Sequence, residues 1–242
     1  MRGSATIVAM LGRSSSLGHR IVGEVNPGFM AISAVTGVLF AILTVAVAIH
    51  PAPFFFDRPI AVDVQSVNAG AIQPFNAFVS AFEGFVGVGV GLAVIFITFV
   101  LRRSATLFVA FSALYVVIYT GINIVIARPR PTGLAHTTSH LSGYSFPSGH
   151  VAFFVWLGVL AIVLLARGLP RILHIGCWIL VAAVVVGAAL SRIDVGAHWP
   201  SDVVGGLLVG VAWTSLSLSL GRLTRPIFGI RTAPHRMAPE QR

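Results

Sequence analysis

Six stretches of this chain are apolar for long enough to cross a lipid bilayer, and its polar residues crowd into the gaps between them. The runs are Phe29–Ile49, Phe78–Leu101, Ala105–Ala127, Gly149–Ala166, Ile172–Ser191 and Val203–Leu220. A bilayer core takes about 20 residues of helix to cross. Within lipid a backbone N–H or C=O has no partner outside its own helix, so each run is predicted to be α-helical. The stretch Ala61–Phe75 is too polar to span and reads as a short interfacial helix or a loop resting on the bundle. The triplet Phe54-Phe55-Phe56 beside it suits the headgroup zone, and ordinary packing equally well. The pattern predicts an all-α, six-span transmembrane bundle over residues 29–220. An N-terminal tail (1–28) and a basic C-terminal tail (221–242) flank it, the latter without apolar period after Gly221 and expected to be disordered beyond about Gly229.

Composition strengthens this reading. Only 10% of residues are charged, against about 25% in a soluble domain, and mean hydropathy is +0.92. Most of the surface therefore faces lipid, which excludes a soluble enzyme. The net charge of +9 raises the question of nucleic acid. No basic stretch is interleaved with aromatics, so a membrane surface explains the charge better. The single cysteine, Cys177, lies inside an apolar run, which excludes an intramolecular disulfide and a cysteine-based zinc site. The segment Met1–Arg20 has only a short apolar stretch and is read as a polar cytoplasmic tail rather than a secretory signal.

All sixteen basic residues are Arg, which fits either phosphate recognition or codon bias. Six spans put both termini on one side, and twelve of the Arg residues fall on that side. The other four are Arg58, Arg128, Arg130 and Arg192. The positive-inside rule places the termini in the cytoplasm. Three of the four opposite-side Arg residues belong to segments rich in chemistry.

Those segments are Arg128-Pro-Arg-Pro131, Pro147-Ser-Gly-His150, and Ser191-Arg192 followed by His198 and Asp202. All three fall at ends of apolar runs on that opposite face. Pro147 and Ser148 read as a helix start, whose unpaired N–H groups and partial positive charge suit a phosphate. Gly149 permits close backbone approach to an anion, and the Ser148 hydroxyl adds a donor. His150, in the first turn, is placed to protonate a leaving oxygen; the plainer alternative is an ordinary cap with an interfacial His. His198 and Asp202 are four apart, so helical geometry between them would let the carboxylate orient the imidazole as a nucleophile. Arg192 offers a planar fork for phosphate oxygens. Asp194 reads as a solvated loop acid. One Arg of the first segment points into the site on this reading, although two Arg fixed by Pro also describe a solvated turn.

Taken together and in this order, the segments resemble the type-2 phosphatidic acid phosphatase superfamily, whose signature is Lys-x6-Arg-Pro, then Pro-Ser-Gly-His, then Ser-Arg-x5-His-x3-Asp. The second and third blocks stand unbroken at Pro147–His150 and Ser191–Asp202, and the first aligns with Arg130-Pro131. The resemblance covers about Phe29 to Leu220. It implies that His198 attacks phosphorus, Asp202 orients it and His150 protonates the leaving group. Arg130, Ser148, Gly149 and Arg192 would hold the phosphoryl oxygens. The expected Lys is replaced by Asn123, a donor without charge, with Arg128 as a candidate replacement cation. No cofactor or metal is implied. His136 and His140 are four apart in a loop, with no carboxylate near them in sequence.

The expectation is a lipid phosphate or diphosphate phosphatase at the outer face of a bacterial plasma membrane. Its partners would be the lipid substrate and membrane lipids, with no nucleic acid. Hydrolysis of a polyprenyl diphosphate differs only in the leaving group. Asn123 motivates a reading of another class, a catalytically weak relative that binds or moves phospholipid. Vanadate-dependent haloperoxidation belongs to soluble relatives.

Overall fold

The computed structural model describes residues 25–67, 73–138, 143–166 and 168–228. Apart from one bridge between Val25 and Leu220, the regular structure among these residues is helical. Helix α1 (Pro27–Ile49) starts where Asn26 accepts hydrogen bonds from the N–H groups of Gly28 and Phe29, with Pro27 in the first turn. Then come α2 (Asp57–Ser66), α3 (Gln73–Ser80) and α4 (Phe85–Leu101). A 3₁₀ turn at Arg103–Ala105 leads into α5 (Thr106–Ala113) and α6 (Tyr115–Ile126). The chain continues through α7 (Gly149–Leu165), α8 (Arg171–Asp194), α9 (Pro200–Ser219) and α10 (Gly221–Phe228).

Every apolar run is helical, but their lengths do not give six spans. Among the described residues four segments are long and apolar enough to cross a membrane: α1, the stretch Arg103–Ile126, α8 and α9. The run Phe78–Leu101 is broken. Its two parts, α3 and α4, meet at 68°, and counting them as one span gives five. Gly84 sits at that corner with φ +57°, a conformation open to glycine. The fourth run forms α7, which at 17 residues falls short of the four long segments. Hydropathy registers apolar content, and neither a corner nor enclosure within the bundle changes it.

Helix α9 is the centre. In its most apolar stretch 61% of residues are buried, against 6% for α8, which turns nearly all its surface outward. Helices α1 and α7 pack on α9, and α8 packs on α7. Gly205 and Gly206 make the α9–α7 approach possible. A methyl group on Gly205 would lie 2.5 Å from the Phe146 ring, and one on Gly206 would strike the Ser148 carbonyl. The core around α7 holds Phe108, Tyr115, Phe146 and Trp156. The Trp156 indole donates to Ser112 Oγ at 2.9 Å, so its polar edge is satisfied where its ring is buried.

The Ala61–Phe75 stretch resolves into the end of α2 and the start of α3, with residues 68–72 outside the description. Both helices pack on α8. The expected C-terminal tail opens with a further helix, α10, resting on α5 and the 3₁₀ turn. The expected tail segments at 1–24 and 229–242, and His140, lie outside the described residues.

Candidate active site

The three segments meet at one end of the bundle, and backbone bonds hold them together. The Ser148 N–H donates to the Asp202 carbonyl at 2.9 Å, joining the second segment to the third. The Ser145 N–H donates to the Arg128 carbonyl at 2.9 Å, joining the second to the first. Arg130 Nη1 donates to the Ala197 carbonyl at 2.8 Å, joining the first to the third.

His198 sits on the turn between α8 and α9. The Arg192 carbonyl accepts from the N–H groups of both Ala197 and His198, at 3.0 and 3.2 Å. Gly196, with φ +66°, allows the turn; a side chain there would strike the His136 carbonyl. The His198 ring is buried, and its Nδ1 lies 2.7 Å from the Ser145 carbonyl oxygen. A carbonyl only accepts, so Nδ1 carries the proton and Nε2 keeps its lone pair. Burial pushes the His198 pKa well below 6.5, and Arg130, His150 and Arg192 act in the same direction; the Ser145 carbonyl opposes them. The imidazole is held neutral, the form a nucleophile needs. Burial likewise lowers the Arg130 pKa, opposed by Glu83 and Asp202.

The joined segments also bring donors. Ser148 caps α7 but makes no side-chain cap bond, and its fully buried Oγ has no partner. Most capping serines spend that oxygen on their own helix. His150 Nε2 and Arg192 Nε are also buried without partners. Arg192 Nη2 is anchored by Ser80 Oγ at 2.7 Å, the Asn76 carbonyl and Ser191 Oγ. Unsatisfied buried donors are costly, and those of Ser148 and Arg192 belong to the segments that meet at His198. Gly149 is needed on packing grounds, since a methyl group there would lie 2.9 Å from the Tyr119 ring.

Three expected contacts are corrected. Asp202 does not hold the His198 ring. Its Oδ2 accepts from the Trp199 N–H at 2.7 Å and its Oδ1 from Arg128 Nη1 at 2.5 Å. The first turn of α9 draws the carboxylate to its own N-terminus, and Ser145 serves the imidazole instead. Arg128 does not face the phosphate position. It is fully buried between Asp202 and Asp57, with its Nη2 2.9 Å from Asp57 and further bonds to Ser201, Pro51 and Ala52. Asn123 spends its amide donors on the carbonyls of Tyr144 and Phe146, at 3.1 and 2.9 Å, fixing the loop before Pro147. Asp194 is buried rather than solvated, accepting from Asn76 Nδ2 at 2.7 Å. His136 faces it, with Nδ1 3.2 Å from its carbonyl and 3.9 Å from its carboxylate.

Sequence reading missed two residues. Asp57 accepts from Arg128 and from both the N–H and Oγ of Ser201. Ser145 presents the carbonyl that orients His198, and any residue type supplies a carbonyl, so no sequence signal marks it.

A family model described as the PAP2 superfamily matches residues 104–224, a stretch that contains all three segments. The chain belongs to the PAP2 superfamily. Among PAP2-type solved structures, the fold is similar to the transmembrane PAP2-type phosphatidylglycerolphosphate phosphatase of Bacillus subtilis. The TM-score is 0.65 at 18% identity, covering 85% of this chain and 99% of that one. LpxE of Aquifex aeolicus follows at TM-score 0.52 and 19% identity, covering 68% of this chain and 96% of that one. Among curated proteins, an undecaprenyl-diphosphatase of Sulfolobus acidocaldarius is 37% identical over 95 residues, covering 38% of this chain and 42% of that one. The glucose-6-phosphatase catalytic subunit 1 of Haplochromis xenognathus is 33% identical over 93 residues, covering 35% and 34%. The match thus spans less than half the length of either curated relative. With four to five apolar helices of spanning length among the described residues and this fold, the PAP2 member is a multi-pass membrane protein.

Proposed function

We propose that this protein is a membrane lipid phosphatase that works through a phosphohistidine. One observation carries the reading: the buried, unpartnered donors of Ser148 and Arg192 belong to the same joined segments as a buried His198 ring whose Nδ1 is bound to the Ser145 carbonyl. That arrangement suits a tetrahedral anion beside a neutral nucleophile.

The His198 Nε2 lone pair attacks phosphorus, forming the N–P bond as the P–O bond to the lipid breaks. Electrons pass to the leaving oxygen, which takes a proton from His150, an imidazole that becomes charged once the phosphate anion offsets the neighbouring Arg130 and Arg192. Arg130, Arg192, Ser148 Oγ and the Gly149 N–H hold the other phosphoryl oxygens as charge builds on them. Water, losing its proton to His150, then attacks the phosphohistidine and releases phosphate. No metal or cofactor enters these steps. Asp202, through the first turn of α9, positions the loop rather than the ring.

With six spans, the positive-inside bias supports cytoplasmic termini and a site at the outer face of the membrane, next to lipid headgroups. Similarity to an undecaprenyl-diphosphatase favours a second reading within the same chemistry, in which the substrate is a polyprenyl diphosphate. Purified protein in detergent with EDTA should release phosphate from phosphatidic acid or a polyprenyl diphosphate. His198→Ala should lose this activity by orders of magnitude, since covalent catalysis has no substitute. Undiminished turnover in that variant would overturn the assignment.

A further inference from the structure

Asp194 is an acid in an unfavourable place. It is buried and ends α8, where the helix dipole opposes a negative charge. Among the described residues its carboxylate receives one hydrogen bond, from Asn76 Nδ2 to Oδ2 at 2.7 Å, and His136 Nδ1 stands 3.9 Å from Oδ1. Burying a carboxylate with so few partners costs stability, and costs of that kind collect at functional sites. We infer that Asp194 is a positioning residue for the reaction: through Asn76 it seats α3 against the guanidinium of Arg192. The inference rests on the phosphatase reading and deepens it, since Arg192 is there a phosphate-binding group.

Three observations carry it. First, Asn76 faces both ways. Its side chain donates to Asp194, and its backbone carbonyl accepts from Arg192 Nη2 at 3.2 Å. Second, Ser80 lies one turn further along the same face of α3, and its Oγ accepts from Arg192 Nη2 at 2.7 Å. Helix α3 therefore grips the last turn of α8 at two points, and the bond between Asn76 and Asp194 fixes the register of that grip. Third, the guanidinium is held by one corner. Its hydrogen bonds among the described residues all run through Nη2, with Ser191 Oγ the third acceptor at 3.1 Å, while the buried Nε has no partner. A planar fork held this way keeps Nε for a phosphoryl oxygen, and where α3 places its acceptors sets the direction of Nε.

The far side of Asp194 is braced. Gln65 Nε2 donates to the Asp194 carbonyl at 3.0 Å and to the His136 carbonyl at 2.9 Å. With its backbone pinned to α2, the Asp194 side chain can hold Asn76 in place. Sign then separates positioning from plain charge. Removing a negative charge beside an anion site strengthens anion binding, whereas slackening the grip on Arg192 weakens it.

The test uses the full chain in detergent with EDTA. Its readouts are the Kd of orthovanadate and the KM for whichever of phosphatidic acid and a polyprenyl diphosphate is hydrolysed. Asp194→Ala should raise both by about tenfold, the scale of a hydrogen bond to a charged group. Asp194→Asn keeps an oxygen for Asn76 and should bind vanadate at least as tightly as wild type. In an Arg192→Ala background, Asp194→Ala should change the vanadate Kd no further. Ser80→Ala and Asn76→Ala loosen the same grip from α3 and should weaken vanadate in the same direction. Wild-type Kd and KM in Asp194→Ala would overturn the inference, as would an equal loss in Asp194→Asn or an undiminished loss in the Arg192→Ala background. A purely structural role would lower the active fraction and leave Kd and KM unmoved. If Asp194→Ala fails to fold, wild-type vanadate affinity in both α3 variants overturns the inference. Those results leave the phosphatase reading standing. Wild type that neither binds vanadate nor releases phosphate from either lipid overturns that reading and the inference with it.

Discussion

Arg128 Nη1 lies 2.5 Å from Asp202 Oδ1, with both side chains fully buried. The carboxylate that the spacing assigns to His198 is thus bound to an arginine 74 residues away. Arg128 also reaches Asp57, which accepts from the Ser201 N–H at 2.9 Å. Asp57, Arg128 and Asp202 together pin the N-terminus of α9, and the loop carrying His198 hangs from that turn.

Truncating Arg128 should therefore act on stability. Arg128→Ala leaves two buried carboxylates facing each other with no cation, and breaking a buried pair in this way costs about 3–5 kcal/mol. Thermal unfolding in detergent should show a large drop for Arg128→Ala. Arg128→Lys should recover only part of it, because an ammonium lacks the fork that serves both carboxylates. Unfolding at the wild-type temperature in Arg128→Ala, with phosphate affinity reduced, would return Arg128 to the substrate.

Asn123 leads to the opposite of a gain. A lysine there would restore the cation of the family signature, but it would also remove the hydrogen bonds to the Tyr144 and Phe146 carbonyls. Two lost bonds to loop carbonyls amount to about 1–3 kcal/mol. Asn123→Lys should lower the unfolding temperature and leave kcat/KM flat or reduced. A rise in kcat/KM would show that the lysine side chain reaches the site despite the lost loop bonds.

His198 predicts a pH dependence whose sign follows from its depressed pKa. The neutral, attacking form persists as pH falls, so the acid limb that His198 contributes to kcat/KM should lie below pH 6.5. Stability runs with it. Between 6.5 and the lower folded value the unfolded chain binds a proton that the folded one refuses, so stability falls as pH drops through that window and is level above it. Unfolding measured from neutral pH downward should show this slope in wild type and a shallower one in His198→Gln. Equal slopes would mean that the imidazole is not held neutral by burial.

Some of this could be read from the sequence, and the reason is proximity along the chain. Ser148 and His150 share one turn, and Arg192 in the last turn of α8 stands six residues before His198, so spacing alone brings their chemistry together. What spacing missed was set across the bundle. Asp57 reads as an ordinary acid before Arg58-Pro59, yet its partners Arg128 and Ser201 lie 71 and 144 residues on. The His198–Asp202 spacing predicted contact, but a helix's first turn offers a carboxylate its own N–H groups, and Trp199 N–H won. The corner at Gly84 escaped for another reason: Phe78–Leu101 is apolar on both sides of it, and hydropathy carries no direction.

Orientation supplies the remaining prediction. On the six-span reading twelve of the sixteen Arg residues lie on the side of the termini, and the bias of Arg toward the cytoplasm then predicts a site on the outer face. Thr137 lies at the site end of the bundle and is exposed. The backbone around it packs against Gly196, so its position is tied to the His198 turn. Cys177, on α8, is the only cysteine. In a Cys177→Ser background, Thr137→Cys should be labelled in intact cells by a thiol reagent that cannot cross the membrane. A cysteine at Arg102, at the opposite end of α4, should be labelled only after lysis. The reverse pattern would put the site on the cytoplasmic face and its lipid substrate in the inner leaflet, with the Arg distribution serving some purpose other than topology.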